Sequence, residues 1–316
     1  MRAFLRPLWL FVLLAAAAAP APVMAAPSKE QSAKPAKARP AVGRPRPAIW
    51  LLADEDTKIY LLGTIHVLPP GFAWRSPTLD RIIAESDELV EETYEEPGSV
   101  DNADARAAML LDKPIPILDR VPKQRHSDLK AAIKESRVPI SFYDQMPTWA
   151  AGIMLGVSQI LDGYGVDDPN EAPGVEDVLE EVFTSAGKPI SSVEDPMKVV
   201  QSLNALPQEA QVSLLLDAIA KPGKSGGGGM AEGAEDDIMW ARGDVEGLGA
   251  FLMKDIPPYL VEALIRSRNR AWTGWLQSRL ERPGTVLFAV GAGHLAGPDS
   301  VQRMLAARGL TVTRID

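Results

Sequence analysis

None of the 316 positions in the chain is a cysteine. Disulfide staples and lipid attachment at a cysteine are therefore excluded, and a chain of this length can bury enough apolar surface to fold without bridges. Histidine is nearly as scarce: imidazole chemistry rests on His66, His126 and His294 alone. Excess basic charge is also missing. A net charge of -9 and a pI near 5.0 leave no basic face of the kind nucleic-acid binders carry, so no nucleic-acid partner is expected. Long apolar runs are scarce too: the stretch Leu8 to Ala19 is Ala-rich, is followed by Pro20 and Pro22, and is marginal for the roughly 20 residues a membrane span needs, with an uncleaved anchor as the alternative to a cleaved leader.

What is present divides into three parts. Arg2 and Arg6, the short apolar stretch and the small residues Val23-Met24-Ala25-Ala26 have the layout of a secretory signal over residues 1–26. The chain is then exported, periplasmic or secreted, with no transmembrane segment after cleavage. Residues 27–48 are rich in Pro, Ala, Lys and Arg and cannot bury apolar area, which predicts an extended linker. Residues 49–316 have the composition of one globular domain, and the whole chain is 46% hydrophobic and 24% charged.

Within that domain the apolar periodicity alternates strand and helix. Two short strands around Asp54-Glu55-Asp56 predict a hairpin that ends at Gly63 and His66. Ser76-Pro77 reads as the N-cap and first residue of a helix with Leu79, Ile82 and Ile83 inward, and Leu89 to Thr93 as the next strand. Helices are expected at Asp101–Leu111, Ser127–Ser136 and Asp144–Leu161. A helix from Val175, stopped by Gly187-Lys188-Pro189, then leads to a strand ending at Glu194. Further helices are expected near 196–206, 207–220, 235–253 and 257–280, then a strand at 285–290, a helix at 298–307 and a last strand at 310–315. The Gly-rich stretch 221–233 contains Gly223-Lys224-Ser225 without the phosphate-loop frame or a leading strand, and reads as a flexible surface loop. The fold class is α/β: a central mixed, largely parallel sheet flanked by helices, with two related βαβ-type halves and a helical insertion between them.

One pattern occurs twice: Gly63-Thr64-Ile65-His66 and Gly291-Ala292-Gly293-His294, each behind an apolar strand and before a loop and helix. Ligands of parallel sheets gather at the carboxyl ends of strands, so His66 and His294 are expected across one crevice. Glu91 or Glu92 at one strand end and Glu194 at another would bring carboxylates to the same edge. Strand alternation sends Glu91 and Glu92 to opposite faces, and the sequence leaves the register open. Two imidazoles with one or two carboxylates suit a divalent metal, with Zn, Mn, Fe or Co allowed by ligand type, and such a site supports hydrolysis without a Ser or Cys nucleophile. A metal-free alternative makes one histidine a general base and a glutamate its partner. Arg268, Asn269 and Arg270 are candidate anion contacts. Glu95, Glu96, Glu180 and Glu181 read as exposed charge, and His126 as a solvated surface residue.

Four segments occur in a recognisable order: Leu61-Leu62-Gly63-Thr64-Ile65-His66-Val67-Leu68-Pro69, Ser191-Ser192-Val193-Glu194, Arg268-Asn269-Arg270-Ala271-Trp272 and Val290-Gly291-Ala292-Gly293-His294-Leu295. With them the chain, from about Ile49 to Asp316, resembles the TraB/GumN family, which is related to the TIKI proteins, metal-dependent proteases acting on Wnt ligands. The resemblance implies a metal-dependent hydrolase, peptidase-like, holding Mn, Co or Zn through His66, His294 and Glu91 or Glu92. It also implies that Arg268 and Asn269 line the site, with Ser267 standing where the family commonly has an acidic residue. A peptide or glycan is the expected substrate, and a non-catalytic binding protein using the same crevice is the alternative.

Overall fold

The computed structural model describes residues 44–94, 104, 107–166, 168, 171–220, 235–254, 256 and 258–316. The expected signal segment, most of the expected linker, Glu95 and Glu96, much of the helix expected from Asp101, and the Gly-rich stretch lie outside the described residues.

A six-stranded sheet organises the domain, in the order β4 (Ile190–Ser192), β3 (Glu88–Glu91), β5 (Gly284–Gly291), β2 (Thr57–Thr64), β1 (Ile49–Ala53), β6 (Val312–Arg314). Strands β1 (Ile49–Ala53) and β2 (Thr57–Thr64) form the expected hairpin, whose acidic turn is closed by Asp54 accepting from the amides of Asp56 and Thr57. From β2 the chain crosses through α1 (Pro77–Glu85), capped by the Ser76 hydroxyl, to β3 (Glu88–Glu91). That crossover skips one position, which β5 (Gly284–Gly291) fills from far along the chain, parallel to both neighbours. Strand β4 (Ile190–Ser192) lies parallel outside β3, and β6 (Val312–Arg314) pairs antiparallel with β1. Only β1 therefore opposes the other strands, and the carboxyl ends of β2, β5, β3 and β4 share one edge. The central strands β2 and β5 are apolar on both faces because helices cover both, as parallel strands require.

Alternate residues of the strands feed two cores. Tyr60, Leu62, Leu89 and Leu287 pack with Leu79 and Ile82 of α1 and with later helices, while Ile59, Leu61, Val90, Val286 and Phe288 pack on the opposite face. A third core belongs to the helical insertion expected between the halves. It joins α2 (His126–Ser136), α3 (Thr148–Tyr164), and, beyond α4 (Val175–Ser185) and β4, α5 (Pro196–Asn204) and α6 (Gln208–Ala218), around Trp149, Leu129 and Leu215.

The structure departs from the periodicity in several places. The helix expected over 235–253 is two helices, α7 (Glu235–Ala241) and α8 (Val245–Leu252). They break at Gly243, whose φ of 66° favours glycine and whose Cβ position lies 2.6 Å from the Arg46 carbonyl. The break receives the incoming chain: the Arg46 amide donates to Ala241 O, and the Arg46 guanidinium bonds Asp316. The helix expected over 257–280 contains a π-helical turn at Glu262–Arg266 before α9 (Ser267–Arg279). A 3.6-residue count cannot register that wider turn. The closing helix α10 (Val301–Ala307) repeats the expected strand, turn, helix, strand order, but it carries the chain past β2 and β1 to the far edge. Glu180 is 7% exposed instead of solvated, and His126 is half-buried at the start of α2 with Nε2 3.3 Å from Val121 O.

Candidate functional site

The shared carboxyl edge gathers the chemistry. His66 leaves β2, Glu92 and Glu194 follow β3 and β4, and β5 passes through Gly291 into a 3-10 turn, Ala292–Leu295, that carries His294. Because Thr64 pairs with Gly291, the two Gly-x-x-His turns leave adjacent parallel strands side by side. Gly291 forms the floor between them. A Cβ built there would stand 3.0 Å from Glu92 Oε1, 3.7 Å from His294 Cδ2 and 3.8 Å from His66 Nε2. A side chain at this position would enter the space on which both imidazoles converge.

Helix α9 fixes His294. Its Nδ1 lies 2.6 Å from Asn269 Oδ1, while the Asn269 amide nitrogen donates to His294 O at 3.1 Å and Asp299 O at 2.7 Å. With that nitrogen committed to carbonyls, Oδ1 is the acceptor and His294 carries its proton on Nδ1, which leaves a lone pair on Nε2. The ring also packs at 4.3 Å from the Trp272 ring. Burial pushes its pKa down to about 3. The Glu92 carboxylate opposes the shift and the Arg268 cation adds to it, so His294 is neutral at pH 7.

His66 is held by α4. The N-cap of that helix is Gly174, where a Cβ would lie 2.2 Å from the His66 carbonyl oxygen, and the Val175 amide donates to Ile65 O. This close approach brings Glu176, in the first helical turn, to 2.7 Å from His66 Nδ1, and the Thr64 hydroxyl donates to the same carboxylate oxygen at 2.5 Å. Burial alone would lower the His66 pKa, but the Glu176 carboxylate outweighs it, assisted by Glu92 and Asp177, and the net value is about 9. Burial would likewise raise the Glu176 pKa, and the His66 contact holds it below its usual value. The His66 side chain remains 35% exposed on the crevice side.

The acids meet at Arg268. Glu92 Oε1 accepts from the Gly291 amide at 2.7 Å and lies 3.5 Å from His294 Nε2, while Oε2 accepts from Arg268 at 2.6 Å. Burial works against its charge, yet Arg268 and the two histidines hold the Glu92 carboxyl far below the carboxylate range. Glu194 accepts from Arg268 at 2.7 and 2.8 Å and from the Trp272 indole at 2.9 Å. Its pKa is nonetheless raised, because burial and the nearby Glu92 exceed the help Arg268 gives. The remaining guanidinium nitrogen stands 3.0 Å from His294 Nε2 and donates to Leu264 O.

Of the residues singled out from the sequence, His66, His294, Glu92, Glu194, Arg268 and Asn269 come together. Glu91 is 1% exposed and, by strand alternation, takes the Leu89 side of the sheet. Arg270 points outward to Glu262. Glu176 was not foreseen. Its only sequence signal is an acid in the first turn of a helix that starts at the sheet edge.

Among the described residues, no three His, Asp or Glu side chains are spaced to enclose an ion as they stand. The Arg268 guanidinium contacts both His294 and Glu92. The donor chemistry nevertheless fits a divalent cation. Each imidazole commits Nδ1 to a partner and turns Nε2 to the crevice, as metal-ligating histidines do, and a carboxylate lies beside them.

No solved structure matches the chain. A stretch of 65 residues is 37% identical to "Metalloprotease TIKI homolog" of Amphimedon queenslandica, covering 20% of this chain and 13% of that protein's length. The model of the TraB/PrgY/gumN family matches residues 48–314, and the chain belongs to that family.

Proposed function

We propose that the protein is an exported, metal-dependent hydrolase of peptidase type, with its site between the two Gly-x-x-His turns. The observation that carries this reading is the convergence of His66 Nε2 and the His294 ring on the Gly291 floor, with each Nδ1 held by a separate partner. The partial likeness to a metalloprotease supports the same class of chemistry. His66 and His294 would hold the ion through Nε2, and Glu92 would supply the carboxylate. When bound, Mn, Co or Zn polarises a carbonyl and acidifies water. Glu176 and Asn269 fix the two rings: His294 presents its Nε2 lone pair as it stands, and His66, protonated at pH 7 in the metal-free chain, would release its Nε2 proton as the ion binds. Glu194 accepts from Arg268 with both oxygens and so holds that guanidinium beside the crevice, where its positive charge would favour an anionic oxygen on the substrate.

A binding protein without turnover is the rival reading, and the guanidinium on His294 Nε2 favours it. The two separate when the chelator-stripped chain is incubated with a mixture of unstructured peptides, with and without Mn, Co or Zn, and the products are followed by mass spectrometry. Cleavage that needs the ion and disappears in His294→Ala is the expected result. Ion binding with no new peptide termini would favour the binding protein, and cleavage indifferent to both chelator and substitution would contradict the proposal.

A further inference from the structure

Arg268 is the one arginine or lysine drawn into the histidine–carboxylate cluster among the described residues, and it makes two kinds of contact there. Nε and one terminal nitrogen bind the two Glu194 oxygens, the other terminal nitrogen donates to Leu264 O, and the guanidinium lies 5.0 Å from the Trp272 ring centre. These contacts anchor it to its own helix and to the β4 end. The second set faces the crevice: 2.6 Å to Glu92 Oε2 and 3.0 Å to His294 Nε2. A guanidinium has donors only, so at His294 it engages the lone pair that a metal would need.

We propose that Arg268 is a built-in competitor for the metal: in the metal-free chain its guanidinium takes the cation's place against Glu92 and His294, and ion binding displaces it onto Glu194 alone. This rests on the metal-site reading above. The geometry makes the displacement local, because losing the two crevice contacts leaves the bidentate Glu194 pair, the Leu264 carbonyl and the Trp272 stack. Glu194 is then the parking carboxylate that keeps the released charge from being buried unpaired. Without this cation, Glu92 and Glu194 would face each other in a poorly solvated edge until an ion arrived. With it, the metal-free fold is neutralised in advance and ion affinity is reduced. A like charge within about 4–6 Å shifts an equilibrium by one to three decades, which sets the expected size.

The test is a calorimetric titration of MnCl2 into the chelator-stripped mature chain at pH 7. Wild type is compared with Arg268→Met and with Arg268→Gln, whose amide still donates to Glu194, and thermal melts are run with and without the ion. Competition predicts that both variants bind Mn at least about tenfold more tightly than wild type. It also predicts that they melt lower without the ion and gain more from its addition. A variant that folds only in the presence of Mn reports the same competition. Equal or weaker affinity beside a lowered melting point would make Arg268 a structural strut and overturn the inference while leaving the metal site standing. Variants unfolded under both conditions would do the same. If wild type and both variants bind no Mn, Co or Zn, the metal-site reading itself fails and takes the inference with it.

Discussion

Asn269 shows how much of this site depends on a side chain that need not touch a substrate. Fully buried, it accepts the His294 Nδ1 proton and holds the backbone of His294 and Asp299. Asn269→Ala would leave the His294 and Asp299 carbonyls and an imidazole N–H without the partner they have now, at about 1–3 kcal/mol for each buried bond unmade. Urea unfolding should show at least about 2 kcal/mol of destabilisation, and metal affinity should fall about 10- to 100-fold as the ring loses its fixed tautomer. An unchanged affinity would mean that Trp272 alone sets the ring. At this scale the sequence was informative about His66 and His294 because histidine is so rare and the Gly-x-x-His spelling repeats. It was silent on Glu176, because the partner of His66 is chosen by how α4 docks 110 residues later. Glu91 and Glu92 could not be separated either. Their difference is one step of strand alternation, which only the register with β5 resolves.

Elements position these residues through two close approaches. The start of α4 presses on the His66 backbone, and Gly174→Ala would place a methyl 2.2 Å from the His66 carbonyl oxygen. Neither backbone can yield cheaply, so a loss of roughly 1–3 kcal/mol or more is expected in urea unfolding. Gly291→Ala is the contrasting case. Its nearest neighbour is the Glu92 side chain at 3.0 Å, so stability should change by less than about 1.5 kcal/mol while ion affinity drops, because the methyl enters the crevice floor. If the two substitutions behaved alike, the placement of the floor would be wrong. Element type and order were largely legible from apolar periodicity, the Ser76 cap and the Gly187 stop. The π turn before α9 and the break at Gly243 were not, since one depends on a local widening of the helix and the other on the distant approach of Arg46.

For the whole molecule, the mixed sheet flanked by helices followed from alternating strands and helices, whereas the strand order did not. That β5 enters between β2 and β3 depends on long-range pairing, yet this insertion is what sets the two histidines side by side. The electrostatics of the edge also add up to a molecular property. His66 has a folded pKa raised to about 9, so its contribution is complete below its unfolded value of about 6.5 and is lost as pH rises through 9. His294 is depressed to about 3, so its contribution is present above about 6.5 and is lost as pH falls through 3. The depressed carboxyls of Glu92 and Glu176 add a further loss at acid pH. The chelated protein should therefore be most stable near about pH 6.5. Glu176→Gln should flatten the alkaline side of that profile in thermal melts, and an unchanged alkaline slope would remove His66–Glu176 as its source.

In the site proposed above, His66, His294 and Glu92 hold one divalent ion and Glu91, on the other face of β3, is not a ligand. This assignment is tested most directly by titrating Mn, Co and Zn into the chelator-stripped chain at pH 7, with His66→Ala, His294→Ala, Glu92→Gln and Glu91→Gln alongside. One ion per wild-type chain is expected, with affinity reduced at least about 10- to 100-fold in the first three variants and retained in Glu91→Gln. Equal, weak uptake by wild type and all four variants would contradict it.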